Sequence, residues 1–131
     1  MRLFLDTSVL LAASASASGT SREIFRLAPA KGWTLIATPY VLAEVMRNLP
    51  DFPPAATAEW LRLRHQLLVM DDVLTLDRPV IFPASKDRPV LFGALAWADV
   101  LLTLDRRDFE NILGGEFYGL KELKPATFLS A

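Results

Sequence analysis

Two aspartates each follow an apolar run that is typical of a buried strand. Asp6 comes directly after Arg2–Leu5, and Asp105 follows Val100–Leu102 closely. Apolar runs without a polar alternation indicate strands that are covered on both faces, as in a parallel sheet. Ligands of open α/β sheets bind where the parallel strands end, so we expect Asp6 and Asp105 to be neighbours in space.

Two more carboxylates are expected at the same edge of the sheet. Glu44 lies about one and a half turns into a helix that begins just after the strand predicted at Trp33–Ala37. Asp87 opens the helix that leads into the strand before Asp105, with Pro89 in its first turn. Carboxylates gathered in this way repel one another by on the order of 3 kcal/mol per pair, at ~5 Å and an effective dielectric of ~20. Mg²⁺ or Mn²⁺ would relieve this repulsion, because both ions prefer oxygen ligands.

Each of these carboxylates also has a purely structural interpretation. Asp6 could cap the helix that follows it, where Thr7 or Ser8 are the other candidates. Asp87 could complement the N-terminus of its helix, while Glu44 and Asp105 could be ordinary surface charges. The four residues together, rather than any one of them, favour a metal site.

Three other ionisable residues are expected to lie away from this chemistry. Asp99 precedes the last buried strand, at the end opposite to Asp105. His65, the only histidine, lies on a predicted helix beside two arginines and is expected at the surface. Glu122 lies in a predicted C-terminal tail that begins at Lys121, where we expect an exposed carboxylate.

Composition limits the classes of protein that fit the chain. Its 131 residues, 52% of them hydrophobic, predict one domain over residues 1–131. A mean hydropathy of +0.29 is high for a monomer and indicates an apolar surface covered by a partner, in the first place a second copy of the chain. The net charge of −1 argues against binding nucleic acid through bulk basicity, although ten of the 14 basic residues are arginines. The absence of cysteine excludes a disulfide framework and a thiolate zinc site, and suits the cytoplasm.

Strand and helix patterns alternate along the chain, which predicts an α/β fold with a mostly parallel sheet and helices on both faces. Shorter predicted elements are a strand around Val80-Ile81, a short helix from Phe109 and a last edge strand at Tyr118–Leu120. No apolar stretch reaches the ~18–20 residues that span a bilayer. A signal peptide is disfavoured because Asp6 would lie inside its hydrophobic region.

Four segments in register resemble the PIN-domain ribonucleases, most closely the small bacterial VapC-like toxins of toxin–antitoxin pairs. The segments are LFLDTSVLL, TPYVLAEV, KDRPVLFGAL and ADVLLTLDRRDF, and the resemblance runs from about Arg2 to Phe109. It implies a PIN-like three-layer sandwich with a central, mostly parallel sheet of four to five strands. It also implies a Mg²⁺- or Mn²⁺-dependent endoribonuclease that hydrolyses RNA phosphodiester bonds, acts in the cytoplasm and has an antitoxin protein as partner. We expect a homodimer and no association with membranes.

The resemblance also implies roles for particular residues. The acidic quartet of the family corresponds to Asp6, Glu44, Asp87 and Asp105 as metal ligands and catalytic residues. Ser8 and Thr103 match polar positions that would orient the carboxylates. Flanking arginines that could neutralise RNA phosphates are Arg88, Arg106 and Arg107. Leu104 stands where many relatives have glycine. The alternative is a catalytically silent PIN-like module that binds RNA or protein, which the complete quartet disfavours.

Overall fold

The structure is a computed structural model that describes residues 1–73, 88–105, 116–117 and 119–130. For Arg88 and for residues 116–117 only the backbone is described. The strand predicted around Val80-Ile81 and the helix predicted from Phe109 lie outside these residues.

Strands and helices alternate over most of the described chain. The strands are β1 (Arg2–Leu5), β2 (Thr34–Ala37), β3 (Leu67–Val69), β4 (Val100–Leu102), β5 (Glu116–Phe117) and β6 (Leu120–Leu123). The α-helices are α1 (Thr7–Ala15), α2 (Thr20–Lys31), α3 (Pro39–Asn48), α4 (Pro54–Leu63), α5 (Arg88–Trp97) and α6 (Pro125–Ser130). Short 3₁₀ turns at Leu49–Asp51 and Arg64–Gln66 follow α3 and α4.

The strands form one sheet in the order β3-β2-β1-β4-β6-β5. Neighbouring strands from β3 to β6 run parallel, and only β5 is antiparallel to its neighbour β6. This confirms the predicted α/β class and the mostly parallel sheet. The short β5 is one strand more than the four to five that were expected. Because β1 lies near the middle of the sheet, Leu3, Phe4 and Leu5 are completely buried.

Helices cover both faces of the sheet. The connections β1-α1-α2-β2 and β2-α3-α4-β3 both progress in the same direction along the sheet, so right-handed crossovers place α1 to α4 on one face. Helix α5 packs on the other face, where it lies very close to β1. A Cβ atom added to Gly93 would come within 3.1 Å of the Phe4 ring and 3.3 Å of Thr38 Cγ2. Glycine at this position therefore allows the backbone of α5 to approach the strand.

The C-terminal part of the sheet corrects two predictions. Leu120–Leu123 is an internal strand between β4 and β5, whereas we expected a last edge strand at Tyr118–Leu120 and a tail from Lys121. Glu122 is therefore completely buried, and its prediction as an exposed carboxylate was wrong. The physical reason is the parallel pairing of β6 with β4, a long-range contact that local sequence preferences do not determine.

Candidate active site

Asp6 occupies the point where β1 ends and α1 begins. It is the N-cap residue of α1, with extended backbone angles, and its Oδ1 accepts a hydrogen bond of 2.8 Å from the backbone N–H of Thr7. The helix cap is thus Asp6 itself and neither Thr7 nor Ser8. Its side chain is buried, with 7% of the residue exposed. The structural interpretation of Asp6 is correct, yet it accounts for only one of the two carboxylate oxygens.

The second oxygen of Asp6 is held by two hydroxyl groups. Oδ2 accepts hydrogen bonds from Thr103 Oγ1 at 2.8 Å and from Ser8 Oγ at 3.1 Å. Each hydroxyl in turn accepts a backbone N–H from the chain that follows β4: Leu104 donates to Ser8 Oγ and Asp105 donates to Thr103 Oγ1, both at 3.0 Å. Because hydrogen bonds in such chains polarise one another, the network fixes the rotamer of the carboxylate and the path of the loop together.

Burial changes the ionisation of Asp6. Desolvation raises the pKa of this carboxyl group to about 6, although hydrogen bonds from Thr103, Thr7 and Ser8 oppose the shift. The nearby negative charge of Glu44 raises the pKa further. Among the described residues, none of the groups that shift the pKa of Asp6 is a cation.

Glu44 reaches the same edge of the sheet from α3. Its Oε1 accepts a hydrogen bond of 2.9 Å from the Thr7 hydroxyl, the residue next to Asp6. Asn48, one turn later, donates a hydrogen bond to the backbone carbonyl of Glu44 and not to its carboxylate. Thr7 therefore joins the two carboxylates: its backbone N–H donates to Asp6 and its hydroxyl donates to Glu44.

Asp105 lies beside this network at the end of β4. It is partly buried and takes part through the N–H that it donates to Thr103. Asp87, Arg106 and Arg107 lie outside the described residues, and so does the side chain of Arg88, the first residue of α5. The structure thus brings together Asp6, Glu44, Ser8, Thr103 and the backbone of Asp105.

Two residues that were expected to lie elsewhere do so. Asp99 is at the opposite end of β4, where its Oδ2 accepts a hydrogen bond of 2.8 Å from the backbone N–H of Arg2. His65 is exposed on the turn after α4, where it lines a groove of about 530 Å³.

Two solved structures share this architecture. VapBC2 from Rickettsia felis, in a crystal structure bound to a DNA fragment from their promoter, is similar over 93% of this chain and 97% of that chain, with a TM-score of 0.65 and 16% identity. PAE2754 from Pyrobaculum aerophilum is similar over 99% of this chain and 88% of that chain, with a TM-score of 0.64 and 16% identity. The chain has the PIN-domain fold. Neither a protein-family model nor a curated protein sequence matches it.

The described part of the PIN fold shows what could hold a metal ion. No group of three or more histidine, cysteine, aspartate or glutamate residues has metal-binding geometry within the described ranges, which omit Asp87. The donors that do converge are oxygen atoms, from Asp6 and Glu44, and this donor set suits Mg²⁺ or Mn²⁺. No helix in the described ranges is long and apolar enough to cross a membrane.

Glu122 is the residue that sequence reasoning missed on this fold. It is 0% exposed, and within the described chain neither Oε1 nor Oε2 has a hydrogen-bond partner. Burial raises the pKa of this carboxyl group to about 8, and the negative charge of Asp6 adds to the shift. One signal in the sequence could have found it. In the segment LKEL, Leu120 and Glu122 are two positions apart, so a strand places both on one face.

Proposed function

We propose that the chain is a metal-dependent endoribonuclease that hydrolyses RNA phosphodiester bonds. The observation that carries this proposal is the placement of Asp6. Its buried carboxylate lies at the carboxyl end of the central strand β1, and the hydroxyls of Ser8 and Thr103 hold one of its oxygens. The next residue, Thr7, donates a hydrogen bond to the carboxylate of Glu44. A helix cap needs only the hydrogen bond that the backbone N–H of Thr7 donates to Asp6 Oδ1. The hydroxyl pair and the second carboxylate are what a cation site requires, and the PIN fold is consistent with that chemistry.

The proposed ligands are the acidic quartet, with Asp6 and Asp87 as direct ligands and with Glu44 and Asp105 completing the site. A bound Mg²⁺ or Mn²⁺ ion would supply a water of lowered pKa and would stabilise negative charge on the phosphate. Ser8 and Thr103 keep Asp6 in one rotamer, so that its oxygens point to one place before any ion arrives. Arg88, Arg106 and Arg107 flank the acids in the sequence, and we propose that they neutralise RNA phosphates on either side of the cleaved bond.

We further propose that residues 1–131 act as one domain in the cytoplasm, as the toxin of a toxin–antitoxin pair. The similarity to VapBC2, which was crystallised with promoter DNA, supports the presence of an antitoxin partner. Large apolar side chains exposed to solvent support a homodimer. They include Met46, Leu61, Leu68 and Val69, each 46% to 49% exposed.

Cleavage assays test the enzymatic part of the proposal. Purified protein should cleave RNA in the presence of Mg²⁺ or Mn²⁺, and the cleavage should stop when EDTA is added. Asp6→Asn should abolish cleavage, because the amide keeps the shape of the side chain and removes its charge. Asp51→Asn is the matched control, since Asp51 is exposed on the turn after α3. Cleavage that persists in EDTA or in Asp6→Asn would contradict a metal hydrolase. Failure of the wild type to bind Mn²⁺ at all would favour the catalytically silent module.

A further inference from the structure

Glu122 is a buried carboxylate whose hydrogen-bonding capacity is unused within the described chain. Both of its oxygens are inaccessible to solvent, and neither has a partner there. A buried polar group without a partner is costly and rare in folded proteins. Protonation does not remove the cost, because a neutral carboxyl group still needs an acceptor for its O–H and a donor for its carbonyl oxygen.

The register of the sheet places Glu122 on the same face as the acidic site. Phe4, Leu101 and Glu122 are paired side by side across β1, β4 and β6. Asp6 and Thr103 lie two residues beyond Phe4 and Leu101 on their own chains, so strand alternation gives their side chains the same face. The Thr103 hydroxyl donates a hydrogen bond to Asp6. It therefore lies on the same face of the sheet as Glu122, on the neighbouring strand and two residues further towards the carboxyl ends of the strands.

Electrostatics agree with this placement. Burial raises the pKa of Glu122, and the negative charge of Asp6 raises it further, so the two carboxyl groups are close enough to interact. The basic neighbours of Glu122 on its own segment do not relieve the repulsion. Lys121 is exposed, as expected for the opposite face of the strand, and Lys124 makes no ion pair within the described residues. A cation near Asp6 would supply the missing partner for both groups.

We propose that Glu122 is a fifth carboxylate of the cation site, in addition to the acidic quartet. This inference rests on the proposed function, because it requires that the edge around Asp6 holds Mg²⁺ or Mn²⁺. Glu122 approaches that site from inside the sheet, along β6, whereas the quartet residues of the described chain lie at or beyond the strand ends and on α3.

Binding of Mn²⁺ alone, measured by titration calorimetry and by the spin-resonance signal of free Mn²⁺, tests the proposal without RNA. Glu122→Gln should weaken Mn²⁺ binding by about 10- to 100-fold, the range seen when residues that support metal ligands are changed. Glu122→Asp, which keeps the charge on a shorter side chain, should retain more affinity than Glu122→Gln. Asp51→Asn should bind like the wild type.

Melting temperature provides a second readout that separates a role at the cation site from a purely structural one. In EDTA, Glu122→Gln should melt above the wild type, because glutamine is neutral in both states, whereas burial and Asp6 disfavour ionisation of Glu122 in the folded state only. In excess Mn²⁺ it should melt below the wild type, which alone gains the full stabilisation from the bound ion. A shift of the same sign and size in both buffers, or Mn²⁺ affinity within twofold of the wild type, would overturn the assignment of Glu122. If the wild type binds Mn²⁺ and Asp6→Asn does not, the proposed function stands whatever Glu122→Gln does.

Discussion

The hydroxyl of Thr103 donates a hydrogen bond of 2.8 Å to Oδ2 of Asp6, although 97 positions separate the two residues. The contact is possible because β1 and β4 are parallel neighbours in which Leu5 pairs with Leu102, so the next residues, Asp6 and Thr103, also lie side by side. One pairing of strands thus builds the centre of the sheet and also brings Thr103 to the buried carboxylate of Asp6.

Thr103→Val tests the importance of this hydrogen bond. Valine keeps the shape of threonine but removes the donor to Asp6 and the acceptor for the Asp105 N–H. We expect Mn²⁺ affinity to fall by about 10- to 100-fold and the free energy of unfolding to fall by about 1–3 kcal/mol. Calorimetry and chemical denaturation measure the two effects. Thr103→Ser keeps the hydroxyl and should leave the affinity close to that of the wild type; equal losses in both variants would assign the effect to packing.

Asp105→Asn tests whether Asp105 belongs to the cation site or is a loop charge. In EDTA the variant should be more stable than the wild type by on the order of 1 kcal/mol, because one repelling charge is removed and solvent screens the rest. With excess Mn²⁺ the order should reverse. Thermal melts in the two buffers measure both effects.

The control for the Asp105 experiment must be an exposed carboxylate, and Glu122 cannot serve because it is buried. Asp51→Asn should show no reversal between the two buffers. Destabilisation of Asp105→Asn by equal amounts in EDTA and in Mn²⁺ would make Asp105 a structural residue of the loop after β4.

The metal-free protein should lose stability as the pH rises from about 4.5 to about 8. The pKa of Glu122 is about 8 in the folded chain, above its ordinary value of 4.5, so the unfolded state ionises first and is favoured over this interval. The pKa of Asp6, about 6, adds a similar effect at the acidic end of the range. The total loss is on the order of a few kcal/mol, and melts in EDTA across the pH range measure it.

Glu122→Gln provides the matched comparison for the pH profile. It should flatten the decrease between pH 6 and 8 and reduce it below pH 6, where the contribution of Asp6 remains. A wild-type melting temperature that is constant or increases over pH 6 to 8 in EDTA would show that Glu122 ionises normally in the folded protein.

Leu61→Lys tests the proposed homodimer. Leu61 is 49% exposed on α4 and lines the same groove as Val69 on the edge strand β3. A lysine there should place a charge in the apolar contact and convert a dimer to a monomer, as measured by light scattering at high micromolar concentration. Ala30→Lys, at an exposed position on α2, should leave the mass unchanged. A monomeric wild type would contradict the dimer itself.

One rule about strand ends predicted that Asp6 lies next to the chain that follows β4, whereas Thr103 was expected only from the resemblance to PIN domains. Asp6 and Thr103 each come at the end of a short apolar run, and parallel strands necessarily gather such residues at one edge. The network through Thr7 could not be predicted, because it depends on the rotamers of side chains on two different elements. Glu122 was missed for another reason: a four-residue strand has a weak local pattern, and its burial is decided by β4 and β5 on either side.

The pairing of β1 with β4 also sets the moment at which the site can exist during synthesis. Asp6 is synthesised 97 residues before Thr103, which fixes its side chain. At about 5–20 residues per second, a nascent chain spends at least several seconds with Asp6 made and its partner absent. The acidic site therefore cannot assemble until Thr103 has been made, so a growing polypeptide carries Asp6 without its partner while it is still next to the RNA of the translation machinery.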